Sequence, residues 1–384
     1  MPTTVLKNVM YRAVLPLAAP GCGRRPVSSV TGHELYDRRG LETLLRRHHV
    51  LGSATLLSNG NHTSIICSSS EKPFHHAEPD TFFRVASITK TATTVVCLHL
   101  ADQGILSLDC PAGQYFSDSS AASALEGITL RCLLSHTSGL VDPPALESYV
   151  TASVPFTKLL SGARKHPPGS IFLYSNLGFG LIGCILESVF NRSVGEIFRD
   201  ELFSPLGMNA TLEGCLLPPE KIMPVTRVLP FRSGTDVILT QLGSRPLASP
   251  DPLCHYGHTA GSMYTDINSL FTLFRILINR DDPFLSPGTK NEMTSRQASY
   301  GRLSPTLSYG LGLLIINDPS LSAGRILGHQ GFAYGCADGA FWEENTGRTV
   351  ITLNGGCSEA RTGRLGLSNR DMIRWAFRKE LAAW

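Results

Sequence analysis

The sequence predicts an α+β fold: an antiparallel sheet flanked by helices, with an all-helical domain inserted into it. Three observations predict it. Short β-rich runs lie near both ends of the 384-residue chain, helical patterns fill its middle, and hairpin signals rather than regular strand–helix alternation join the strands. In chain order, Leu41, Leu44, Leu45 and Val50 suggest a short helix, with Arg46, Arg47 and His48 on its wet side. Val50–Leu57 and Thr63–Cys67 read as two strands, joined by a turn whose Asn59-Gly60 pair supplies positive φ angles. Ser87–Gln103 reads as a helix stopped by Gly104. Leu177–Val189 and Asp266–Ile278 are further helices, and Gly178, Gly180 and Gly183 permit close packing of the first. Tyr309–Ile316, Ala337–Trp342 and Thr349–Leu353 return to strand character, and Asp371–Leu381 is a final amphipathic helix. The division that follows is an extension over residues 1–33, a sheet domain from 34–105 and 290–384, and a helical domain over 106–289.

Composition narrows the function. Apolar residues make up 42% and charged residues 17%, so the chain can bury a large core. The net charge is +3 and basic residues are scattered, which argues against a nucleic-acid partner. No run approaches the ~20 apolar residues of a membrane span. Ten widely spaced cysteines, several inside apolar runs, fit buried free thiols and a reducing, cytoplasmic setting. The apolar run Ala13–Ala19 is interrupted by Pro16; it is short for a secretory signal, though secretion stays open. Cys254, His255 and His258 lack a fourth partner at a metal-binding spacing, so neither metal nor cofactor is expected.

Three short motifs carry chemistry. In Ser87-Ile88-Thr89-Lys90 a serine opens a helix and a lysine lies one turn on, on the same face. Burial lowers a lysine pKa, and a neutral amine can accept the serine proton. Ser87 as an ordinary helix cap is the plain alternative, and Ser69 with Lys72 repeats the spacing in a polar stretch. In Tyr174-Ser175-Asn176 a tyrosine beside a lysine can lose its proton more easily, and an asparagine can orient an amine or a carbonyl. Equally, Asn176 can cap the helix while Tyr174 packs. In Gly328-His329-Gln330-Gly331 a glycine-flanked edge strand admits a substrate, and His329 is alternatively a structural histidine. His136-Thr137-Ser138-Gly139 reads as a loop stabiliser.

The order of these pieces, with Leu106–Asp109, Leu133–Gly139, Pro168–Gly180, Pro205–Met208 and Ala260–Tyr264, resembles the serine β-lactamase and penicillin-binding superfamily over about residues 40 to 357, in its class C-like branch. The resemblance implies Ser87 as nucleophile, Lys90 and Tyr174 as the base network, and Asn176 as a substrate and lysine contact. It also implies an oxyanion hole from the backbone N–H groups of Ser87 and Phe332. His329, Gln330 and Gly331 stand where efficient β-lactamases carry Lys-Thr-Gly. A histidine of ordinary pKa is neutral at pH ~7.5 and charges toward pH ~6, which weakens binding of substrate carboxylates at neutral pH. The expected activity is hydrolysis of a small-molecule ester or amide, as in esterases, D-aminoacyl peptidases or β-lactamases. Acyl transfer to an alcohol or amine and a non-turnover penicillin-binding sensor are the alternatives. Oligomeric state is left open.

Overall fold

Strand residues that alternate between two apolar faces build a sheet that must be covered on both sides. The computed structural model describes residues 9, 13, 27–32, 37–69, 76–227, 232–233, 246–247, 249–301 and 304–377. Nine strands form one sheet: β1 (Val27–Gly32), β2 (Ser53–Ser58), β3 (Thr63–Ser69), β4 (Ala298–Ser299), β5 (Leu307–Tyr309), β6 (Leu314–Ile316), β7 (Ile326–Ala333), β8 (Cys336–Glu343) and β9 (Thr349–Asn354). Their order is β1-β3-β2-β9-β8-β7-β6-β5-β4, and every neighbouring pair is antiparallel. The β2–β9 pairing joins the two ends of the chain, so the sheet is completed only when the C-terminal strands arrive.

Period-2 patterning sorts the two faces. Leu57, Ile66, Ile326, Phe341 and Val350 pack against helices α1 (Arg38–Arg47) and α5 (Leu367–Ala376). Ala54, Leu56, Ile65, Cys67, Leu327, Ala340, Trp342, Ile351 and Leu353 face the larger core. That core holds α2 (Thr89–Asp102), α3 (Asn176–Phe190) and α4 (Ile267–Ile278). Helix α2 is buried on nearly all sides, and α3 from Leu177 through Glu187. Gly180 lets α3 approach its neighbour: a Cβ there would sit 1.5 Å from the Tyr256 carbonyl oxygen. Among the described residues no single helix is long and apolar enough to cross a membrane.

Several local expectations shift. Within the N-terminal extension, Val27–Gly32 pairs with β3 as an edge strand; most of the rest of that extension, the stretch 228–248 for the most part, Lys72 and the end of the C-terminal helix lie outside the described residues. The run Tyr309–Ile316 is two strands, not one, because Gly310–Leu313 turns the chain with Gly312 at φ +60°. In the β2–β3 turn Gly60 alone takes positive φ, and Asn59 Oδ1 accepts from the N–H groups of Asn61 (3.0 Å) and His62 (2.8 Å). His48 is buried rather than wet, with Nε2 2.9 Å from Asp371 Oδ2, which ties the end of α1 to α5. The last helix begins at Leu367, four residues before the sequence suggested.

Candidate active site

The first side of the site is built at the mouth of α2. Ser87 is the middle residue of a 3-10 turn, Ala86–Ile88, that runs directly into α2. It is not an N-cap. Ala86, immediately before it, is buried at φ +47°, a conformation a residue with a Cβ rarely adopts. Thr89 holds the turn: its hydroxyl donates to Ala86 O (2.6 Å) and accepts from Met263 N–H (3.1 Å). Such strain persists where the surroundings over-determine it.

One turn along, Lys90 is fully buried. Its Nζ lies 3.1 Å from Ser87 Oγ, 2.9 Å from Asn176 Oδ1 and 2.6 Å from Ala260 O. Burial pushes the Lys90 amine down to about 7, against the raising influence of Asp142.

The second side is the entrance of α3. Ser175, not Asn176, is its N-cap, accepting from Gly178 N–H at 3.0 Å. Asn176 is therefore free to turn inward. Its Nδ2 donates to Asp142 Oδ2 (2.9 Å), which orients Oδ1 toward Lys90. Asp142 also accepts from Asn176 N–H, Leu177 N–H and Ser175 Oγ–H at 2.8–2.9 Å. A carboxylate at a helix N-terminus suits the dipole, and this one locks the whole entrance. Tyr174 packs beside the amine, with Lys90 Nζ 5.0 Å from its ring centroid. Tyr174 is 37% exposed, and the desolvation of its inner side raises its pKa while a side-chain hydrogen bond to Ser87 lowers it.

The third side is β7. A Cβ on Gly331 would come within 2.3 Å of Val85 O, so only glycine lets this strand run against the Ser87 turn. Phe332 stands opposite Ala337 in the ladder, and the Arg361 guanidinium lies 3.9 Å above its ring centroid. Gln330 is braced at both ends: Nε2 donates to Arg364 O (2.7 Å) and Oε1 accepts from Gly366 N–H (3.1 Å). His329 is buried. Its Nδ1–H donates to Gln330 O (2.8 Å), so Nε2 accepts from the Tyr309 hydroxyl (2.9 Å). Burial and the Lys90 charge push His329 down to about 3. This burial works against the expectation of an imidazole that charges near pH ~6.

Ser87, Tyr174, Asn176, His329, Gln330 and Phe332 line one cleft of about 560 Å³, with Lys90 beneath Ser87 and Gly331 in its β7 wall. Arg84, Arg227, Arg361 and Arg364 also line it, against Glu147 and Glu359. Sequence reasoning missed Asp142, the strain at Ala86 and these arginines. Asp142, Arg227, Arg361 and Arg364 reach the site through tertiary contacts, while Ala86 and Arg84 are close to Ser87 in sequence but match no pattern that marks a strained backbone or a cleft wall. His255 Nδ1 lies 2.9 Å from Glu187, and the described residues contain no cluster of His, Cys, Asp and Glu suited to a metal.

Comparison with known proteins places this geometry in context. The family model described as Beta-lactamase matches residues 39–356. The D-alanyl-D-alanine-carboxypeptidase/endopeptidase AmpH of Escherichia coli K12 is 31% identical over 171 residues, 42% of this chain and 44% of that protein. Penicillin-binding protein 4* of Bacillus subtilis 168 is 26% identical over 309 residues, 76% of this chain and 64% of that protein. The chain thus spans less than two thirds of the length of these relatives. A D-stereospecific amidohydrolase from Streptomyces sp. superposes with a TM-score of 0.64 at 24% identity, covering 84% of this chain and 94% of that one. At that identity the likeness is one of fold.

Proposed function

The chain belongs to the β-lactamase family of serine hydrolases, and from that membership we propose that it cleaves a small-molecule ester or amide through an acyl-Ser87 intermediate. One observation carries the reading: the bonding around Lys90. A neutral amine has two hydrogens and one lone pair. Asn176 Oδ1 and Ala260 O can only accept, so they take the hydrogens. The lone pair is left for the Ser87 hydroxyl, 3.1 Å away.

In this mechanism Ser87 Oγ attacks the acyl carbon while its proton passes to Lys90 Nζ. The backbone N–H groups of Ser87 and Phe332 receive the oxyanion. The proton leaves on the departing alcohol or amine, with Tyr174, neutral at rest, as the relay between Lys90 and the leaving group. Water then releases the acid and restores Ser87. The raised pKa of Tyr174 supports this division of labour, since Lys90 is the group that is deprotonated near neutral pH. His329 and the edge of β7 shape the substrate's bed. All nine described cysteines are free, which supports a reducing, cytoplasmic location.

The test is intact-mass measurement after incubation with short-chain esters, D-aminoacyl amides and penicillins. An acyl adduct should map to Ser87, and Ser87→Ala should lose both adduct and turnover while staying folded. Labelling that persists on another serine would remove the assignment. The reactive member of the panel identifies the substrate class.

A further inference from the structure

His136 is buried at φ +57° in the loop that precedes the Tyr174 segment in sequence and packs beneath it. Its backbone carbonyl accepts from Leu173 N–H (2.8 Å), and its Nδ1 accepts from Ser175 N–H (3.1 Å). These two amides flank Tyr174. Between them the imidazole lies against the Tyr174 ring, centroids 4.1 Å apart and planes tilted by 35°. One residue thus holds the chain on both sides of Tyr174, through the Leu173 and Ser175 N–H groups, and packs against the ring itself.

We propose that His136 is a positioning residue that fixes the Tyr174 hydroxyl over Ser87 and Lys90. The inference rests on Tyr174 being part of the proton network set out above. Accepting from Ser175 N–H places the imidazole proton on Nε2, and Nε2 has no hydrogen-bond partner. The rings of Phe172, Phe179 and Tyr309 pack around the imidazole at centroid distances of 5.8, 4.8 and 4.9 Å. Burial, Lys90 and His329 hold its pKa well below the usual value, so it stays uncharged beside the amine. An uncharged acceptor is what the Ser175 amide needs, and a cation there would repel the proton that Lys90 must take up. A residue that only filled space would not need an acceptor aimed at this one amide, nor the left-handed backbone that aims it.

Two variants separate the acceptor from the bulk of the ring. In His136→Asn, Oδ1 stands in for Nδ1, and asparagine tolerates the positive φ. In His136→Gln, the longer side chain carries its acceptor past the Ser175 amide. Acylation by a p-nitrophenyl short-chain ester is measured in both, in wild type, and in the Tyr174→Phe background, with thermal unfolding as the folding control. The Asn variant should acylate about tenfold faster than the Gln variant or better, with similar KM, because a small misplacement of a reacting group costs on this scale. In the Tyr174→Phe background the difference should vanish, since no hydroxyl remains to be placed. Equal rates for Asn and Gln, or the same drop in both backgrounds, overturn the positioning role. If Tyr174→Phe alone acylates like wild type, the proton-relay role of Tyr174 falls first and this inference falls with it.

Discussion

Lys90 and Lys290 are the buried lysines among the described residues, and their hydrogen-bond partners differ in kind. Lys290, in the helix Pro287–Thr294, directs Nζ at three carbonyl oxygens: Asn279 (3.0 Å), Arg280 (3.1 Å) and Asp282 (2.6 Å). These lie just past the C-terminus of α4, where helix carbonyls lack partners. Burial lowers its pKa, while Asp282 and Asp281 oppose. All three partners are pure acceptors, so every hydrogen of an ammonium is used and the cation is held. Lys90 also has three partners, but one is a hydroxyl that can give up its proton. In the proposed mechanism burial lowers the Lys90 pKa, and the partner that can donate makes the amine a base.

The contrast breaks most directly at the two amines. Lys90→Met and Tyr174→Phe should each slow acylation about 10²-fold or more. Together they should cost far less than the product, because they act as one unit. Lys290→Met should leave turnover at the wild-type level. Loss of activity in Lys290→Met, or multiplicative losses at the site, would erase the distinction.

The pH profile sharpens it. Lys90 must be neutral to accept a proton, and its pKa is about 7. Acylation kcat/KM should therefore fall tenfold per unit as pH drops below that value, and level off above it. The sign in stability is also determined. The folded state lets go of the Lys90 proton at about 7, whereas an unfolded lysine keeps it to about 10.4. The unfolded state thus binds more protons between these values, and the burial penalty on Lys90 is full below 7 and disappears toward 10.4. The thermal stability of wild type relative to Lys90→Met should rise across that window. A flat difference would mean that Lys90 is not buried as a neutral amine.

A smaller effect tests Lys290. Removing its ammonium leaves three carbonyls without their donor, so Lys290→Met should cost about 1–3 kcal/mol in denaturant unfolding. The smallest expected effect is at His329. With a pKa of about 3 it does not titrate in the working range. The ratio of kcat/KM for a penicillin and a neutral ester should stay constant from about pH 6 to 8, where an ordinary imidazole would titrate. A ratio that climbs toward pH 6 would restore the charged histidine.

The sequence by itself pointed to the family and to a sheet shared between the chain ends, and through the family resemblance it nominated Ser87, Lys90, Tyr174 and Asn176, which the fold brings close together. These were legible because they depend on local order: a serine and lysine one helical turn apart, a Tyr-Ser-Asn at a helix entrance, strands with period-2 patterning. Tertiary structure decided what those residues can do. Lys90 and His329 are both basic side chains in motifs, yet one is held near neutrality and the other far below it. Burial lowers both, against Asp142 at Lys90 and with the help of the Lys90 charge at His329, so each lands below its own ordinary value; the segments that bury them lie up to 170 residues away in the chain. Asp142 carries no motif that announces it, since its hydrogen bonds run to groups more than thirty residues on; His136 was legible as a loop stabiliser, but its bond to the Ser175 amide exists only in the folded chain. A pKa is set by the desolvation and charges around a group, and these exist only once distant segments have packed together.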